Sequence, residues 1–286
     1  MAVTVPATVD GATRKEIRRL LLSQLGDLVI ATATDNGTTT TFIDDITLNG
    51  EAGRYAGQHV LFTGGTPDNL GRTAVIDRSS RESVLTFKQT LPAATQEGDE
   101  IEITNSHGMG LTFDRVHQAI NFAIAMARPH CQIPAMEEFP PFDDSADNNV
   151  VSLDPAFVAV EQVLYKHPIT KKWLPVLPAN GPGRDGWWVD RVARQLLITG
   201  REARKADGCE LRVYGYVRPE PLTDENDVTA IPLEWLTNRA AAHLLLEVVH
   251  PISREWSNTG LLYLQEAERL RGTLMPTFGA TYQRIR

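Results

Sequence analysis

Cysteine, positive charge and long apolar runs are all scarce in this sequence. Only Cys131 and Cys209 occur among 286 residues, which excludes the disulfide framework that staples small secreted domains and leaves neither cysteine a close partner for a zinc set. The motif "PHCQIP" sets His130 beside Cys131, but a metal needs three or four ligands, so no metal and no cofactor is expected. No apolar stretch approaches the roughly 18 residues needed to cross a bilayer, and "MAVTVPATVDGATRKE" lacks a basic end leading into an apolar signal core. The expectation is no membrane role, with the chain staying where it is made. With 28 basic and 36 acidic residues the formal net charge is −8, which disfavours broad wrapping around nucleic acid, because phosphate neutralisation drives such binding.

Catalytic signatures are equally sparse. "FTGGTPDNLGR" is rich in glycine but lacks the Gly-Lys-Ser/Thr ending of a phosphate cradle, so it reads as a turn between strands. His107 in "NSHGMG" has no Gly-x-Ser-x-Gly nucleophile elbow to serve as base. The acidic stretches "FDDSADNN" and "LTDENDVT" lack the spacing of a calcium loop and read as solvated. No catalytic residue is assigned, and the chain is not expected to be an enzyme.

What is present is alternation of period. In "TRKEIRRLLLSQLGD", Thr13 and Glu16 form a capping box, and Ile17, Leu20, Leu21 and Leu25 make one apolar stripe. The opposite face carries Arg14, Lys15, Arg18 and Arg19, a solvated face or a contact for an acidic partner. Six short β-branched runs follow between Leu28 and Thr104, with Asp35-Asn36-Gly37 as the hairpin turn joining the first two. "LTFDRVHQAINFAIAMARP" then has helical spacing up to Pro129, and "EEFPPFDDSADNN" reads as a connector. Four or five further strands are expected before Pro219, with Trp173, Trp187 and Trp188 packing one sheet face. "IPLEWLTNRAAAHLLLEVVHP" and "NTGLLYLQEAERLRGTL" each carry a helical stripe.

The fold expected is α+β, an interrupted helical bundle with two inserted antiparallel β modules, each a barrel or sandwich. Residues 1–27, 106–136 and 228–286 form the helical core with a C-terminal arm. Residues 28–105 form one β module and 150–220 the other.

From Arg212 onward the sequence resembles the head-to-tail adaptor (connector or neck) proteins of tailed bacteriophages. The resemblance lies in a strand like "LRVYGYVRPEPLT", an acidic connector, a helix opening like "IPLEWLTNRAAAHLLLE", and a charged final helix like "LLYLQEAERLRG". It extends to "TRKEIRRLLLSQLGD" and to "DRVHQAINFAIAMARP", with its Ile120-Asn121 pair, and covers about half the chain. Leu28 to Thr104 is similar to a β module of phage virion proteins.

The resemblance implies a virion protein assembled in the bacterial host cytoplasm: a homo-oligomeric ring, commonly of twelve copies, beneath the portal protein. Such a ring continues the DNA channel toward the tail or nozzle and tube proteins, and DNA passes without sequence-specific binding. A net negative subunit suits that passage, since like charge keeps phosphates from sticking. Candidate interface residues are Phe278, Tyr282 and Ile285 in the C-terminal arm, with Arg14 and Arg18. The alternatives are a tail or baseplate component, and a hydrolase of cell-wall or capsule polysaccharide.

Overall fold

The computed structural model describes residues 11–81, 83–104, 109–145, 149–179, 184–190, 192–249, 254–274 and 283–284. In chain order the elements begin with β1 (Ala12–Thr13), α1 (Arg14–Gln24), β2 (Val29–Thr32), β3 (Asp35–Thr38), β4 (Thr41–Ile43), β5 (His59–Gly64), β6 (Thr73–Ser79), β7 (Val84–Phe87), β8 (Glu100–Thr104) and α2 (Phe113–Ala127). There follow β9 (Ile133–Pro141), β10 (Val150–Ser152), β11 (Phe157–Lys166), β12 (Trp173–Val176), β13 (Gly186–Asp190), β14 (Gln195–Thr199), α3 (Gly200–Ala206) and β15 (Glu210–Val217). The chain closes with β16 (Val228–Thr229), α4 (Leu233–His243), α5 (Arg254–Leu270) and β17 (Gln283–Arg284).

This corrects the expected fold class. Among the described residues the chain is mostly β, with four antiparallel sheets, one of them seven-stranded, and only five short helices; it is not a helical bundle carrying β inserts. The helical stripes in the sequence are real, but each spans 17 residues or fewer, whereas the strands carry much of the buried apolar surface.

Two compact units divide the chain. The unit of residues 12–124 and 221–271 holds the seven-stranded sheet, ordered β2-β8-β5-β6-β7-β4-β3. Its two outermost strands are consecutive in sequence. Ala33 N–H donates to Asp99 O (2.8 Å) on one side and Thr34 N–H to Ile43 O (2.9 Å) on the other. One bent run, Val29 to Thr38, thus serves both edges and curls the sheet closed around Phe42, Phe62, Ile76, Leu85 and Ile101, all 1% exposed or less. Edge-to-face contacts of Phe62 with Phe42 and Phe87 set that interior.

The Asn36-Gly37 pair is not the turn. It lies within β3, and the reversal falls at Thr39-Thr40, where Thr38 N–H donates to Thr41 Oγ1 and Thr40 N–H to Thr38 Oγ1. Gly37 is needed for a different reason: a Cβ there would overlap Thr41 O and Thr95 Oγ1. Around the sheet, α1 has the capping box expected at Thr13 and Glu16. In α5, Gly260 lets the helix backbone approach Leu245 and Leu246.

The unit of residues 1–11, 125–220 and 272–286 is built, as far as it is described, on the antiparallel order β12-β11-β15-β9, with β17 pairing to β11 at Ala159–Val160, and on the three strands β10-β14-β13. The segment "EEFPP", expected as connector, is the second half of β9. It tolerates Pro140 and Pro141 because β9 is an edge strand. Trp187 and Trp188 are neighbours on β13 and so face opposite sides. Trp187 is 1% exposed, while Trp173 carries the Arg212 guanidinium 4.1 Å from its ring centroid.

Candidate functional site

Among the described residues, each unit holds a gathering of charged side chains that could form a site. In the first unit, α1 lies so that its basic face meets the acidic ends of β8 and of the connector after Pro221. Arg18, expected as an interface residue, is fully buried. Its Nε and Nη2 donate to the two oxygens of Glu102 at 2.7 and 3.0 Å, and Nη1 donates to Glu225 and meets His117 Nε2 at 3.1 Å. Arg14 pairs with Glu225 at 2.9 Å, while Arg19 reaches Glu102 and Glu100, both at 2.6 Å, and Lys15 reaches Glu100 at 2.9 Å.

Burial works against the Arg18 cation, but Glu102 and Glu225 outweigh it and hold its pKa up. Burial likewise disfavours the Glu100 carboxylate, yet hydrogen bonds from Lys15, Thr63 and Arg19 bring it down to about 2. His117 is pushed down to about 4, by burial first and then by the neighbouring Arg14 and Arg18 cations. Four cations thus meet three shared carboxylates, and the cluster holds helix to sheet.

A second fastening sits beside it. Asn121 Nδ2 donates to Leu222 O at 3.0 Å, and Leu222 N–H donates back to Asn121 Oδ1 at 2.8 Å. Glu225 and Asp227 belong to "LTDENDVT", expected as solvated. Asp227 instead caps the N–H groups of Thr223 and Asp224, and its carbonyl accepts from Arg14 N–H. No spacing announces this, because Glu102, Asn121 and Glu225 meet their partners only in space. The remaining interface candidates, Phe278, Tyr282 and Ile285, lie outside the described residues, as does His107.

In the second unit an open cleft of about 440 Å³ is lined by three arginines, Arg128, Arg194 and Arg218, and two acids, Asp154 and Glu220. Arg128 follows the end of α2, Arg218 and Glu220 follow β15, and Arg194 stands at the tip of the β13–β14 hairpin. Asp190 Oδ1 accepts from the N–H groups of Val192 and Ala193, which shapes that tip. Arg194 has φ 54°, a left-handed conformation that costs a side chain about 1 kcal/mol and is usually given to glycine. Its guanidinium donates to Pro155 O, and its carbonyl accepts from Leu153 N–H. The hairpin is thereby laced to the segment that forms the cleft floor.

Asp154 spends Oδ1 on Ala156 N–H, and its own N–H donates to Glu137 Oε2 at 3.4 Å. Glu137 is 4% exposed, and burial pushes its carboxyl up. Arg128, Arg218 and Glu220 are exposed and form no ion pair among the described residues. No motif links these positions, so sequence reading missed the cleft.

Compared with protein-family models and with curated proteins, the chain matches none.

Proposed function

We propose that the chain is a structural virion protein of a tailed bacteriophage, a head-to-tail adaptor whose copies ring the DNA channel beneath the portal. The observation that supports this reading is the fastening of the segments that carry the resemblance. The opening helix α1, the Ile120-Asn121 helix α2 and the acidic connector belong to one unit with α4 and α5. The Asn121–Leu222 pair and the Arg14 and Arg18 bonds to Glu225 tie the first three together. A subunit that passes load between two layers of a particle needs such ties, and its net charge of −8 suits a channel for sliding DNA.

The test is electron microscopy and native mass spectrometry of the full chain, alone and with the portal protein of the same virion. A closed ring with a central hole, or one formed on the portal, is the expected result. A lone monomer that leaves portal rings bare overturns the reading.

A polysaccharide hydrolase is the second reading. One observation favours it: the Glu137 carboxyl, pushed up by burial, accepts from the backbone N–H of Asp154, whose own carboxylate lines the arginine cleft. Release of fragments from purified peptidoglycan or capsule would support it, and release of none would remove it.

A further inference from the structure

We infer that the arginine-lined cleft of residues 128, 154–156, 158, 194, 218 and 220 binds an acidic saccharide, a sugar ring bearing one carboxylate or phosphate. The volume of about 440 Å³ falls within the range of small-molecule sites. Its three guanidiniums and two carboxylates sum to a charge of +1 (three minus two), which suits a singly charged group better than a polyanion.

Each part of the lining has a matching part of such a ligand. Exposed Arg128 and Arg218, unpaired among the described residues, offer the planar forks that grip carboxylate or phosphate oxygens two at a time. Asp154 Oδ2 and Glu220 can only accept hydrogen bonds, as sugar hydroxyls require. Pro155, Ala156 and Val158 supply an apolar floor for the C–H face of a ring. Arg194, laced to Pro155 O, fixes the third cation to that floor. A bare inorganic anion would leave the acceptors and the floor unused, and a neutral sugar would leave the guanidiniums unused. The inference does not rest on the adaptor reading: saccharide binding and ring formation are measured separately and fail separately.

The experiment is calorimetry of the full chain at low salt with galacturonate, glucose 6-phosphate, maltotetraose and inorganic phosphate, repeated on Arg128→Gln and Arg218→Gln. One of the two acidic sugars is expected to bind at least about tenfold more tightly than maltotetraose and than inorganic phosphate, and the arm that binds identifies the acid group. Each substitution is expected to weaken that binding about tenfold while leaving the melting temperature unchanged, because both side chains are exposed. The inference is overturned if neither acidic sugar binds at about 10 mM, if binding survives both substitutions, or if inorganic phosphate binds as tightly as the sugar.

Discussion

Replacing Glu102 with Gln removes one negative charge from a place where neither partner reaches water. Arg18 and Glu102 are both fully buried, joined by two hydrogen bonds of 2.7 and 3.0 Å. Breaking a buried pair costs about 3–5 kcal/mol, because the surviving charge keeps its desolvation penalty. Arg18 retains Glu225, and the new amide oxygen can accept one bond, so the loss belongs at the lower end, about 3 kcal/mol. Arg19 loses a charged partner in the same step.

Native-state hydrogen exchange reads this locally. Protection of the amides in α1 and β8 is expected to fall by about 150-fold, at 1.36 kcal/mol per tenfold. Lys15→Ala, which removes a half-exposed pair with Glu100, is the control and should cost less than about 1 kcal/mol. If E102Q lowers protection in α1 and β8 by less than about fivefold, the buried pair is not what holds helix to sheet.

Other expected outcomes follow from single features. His117 has a pKa of about 4 when folded against 6.5 as its ordinary value, so the unfolded chain binds the extra proton and stability falls as pH drops from 6.5 toward 4. Urea titrations should show a steeper acid loss in the wild type than in His117→Gln over that window, with the Glu100 contribution lost further down, between 4.5 and 2. Asn121→Ala leaves the Leu222 N–H without its partner and its C=O with only the 3.5 Å bond from Arg14 Nη1, and should cost about 1–3 kcal/mol in urea unfolding; an effect below about 0.5 kcal/mol would mean that the pairing is incidental. Gly215→Ala pushes a Cβ into Ala159 O and the Phe157 ring and should lower the melting temperature through a loss of about 1–3 kcal/mol. Cys131, 4% exposed and with its thiol pushed up to about 11 by burial, should react with an aromatic disulfide reagent only after denaturant is added.

Local signals were legible where a residue acts on its near neighbours. The capping box of Thr13 and Glu16 sits where the sequence sets it, and α2 ends before Pro129. Signals failed where the partner is far along the chain. Asn36-Gly37 has the composition of a turn, yet Gly37 is there for the approach of Thr41 and Thr95. "EEFPP" has the composition of a loop, but sheet pairing of Glu137 with Val213 and of Glu138 with Arg212 makes it a strand. The short runs of β2, β4 and β7 are legible as strands, but the conspicuous helical stripes suggest a helical core, and nothing in the spacing tells how much of the chain the sheets take up. At the candidate cleft, Arg128, Arg194 and Arg218 carry no spacing that could announce them.

The doubly bonded Asn121 and Leu222 stand 101 positions apart in sequence yet touch. The chain between them leaves and returns at one gate, and β17, from beyond residue 271, joins it again at β11. Joining the ends of so long a loop costs about 4 kcal/mol of chain entropy beyond a constant, and each doubling of the detour adds only about 0.6 kcal/mol. A chain fastened at that gate can lengthen, shorten or exchange what lies beyond it with little effect on the part that does the fastening.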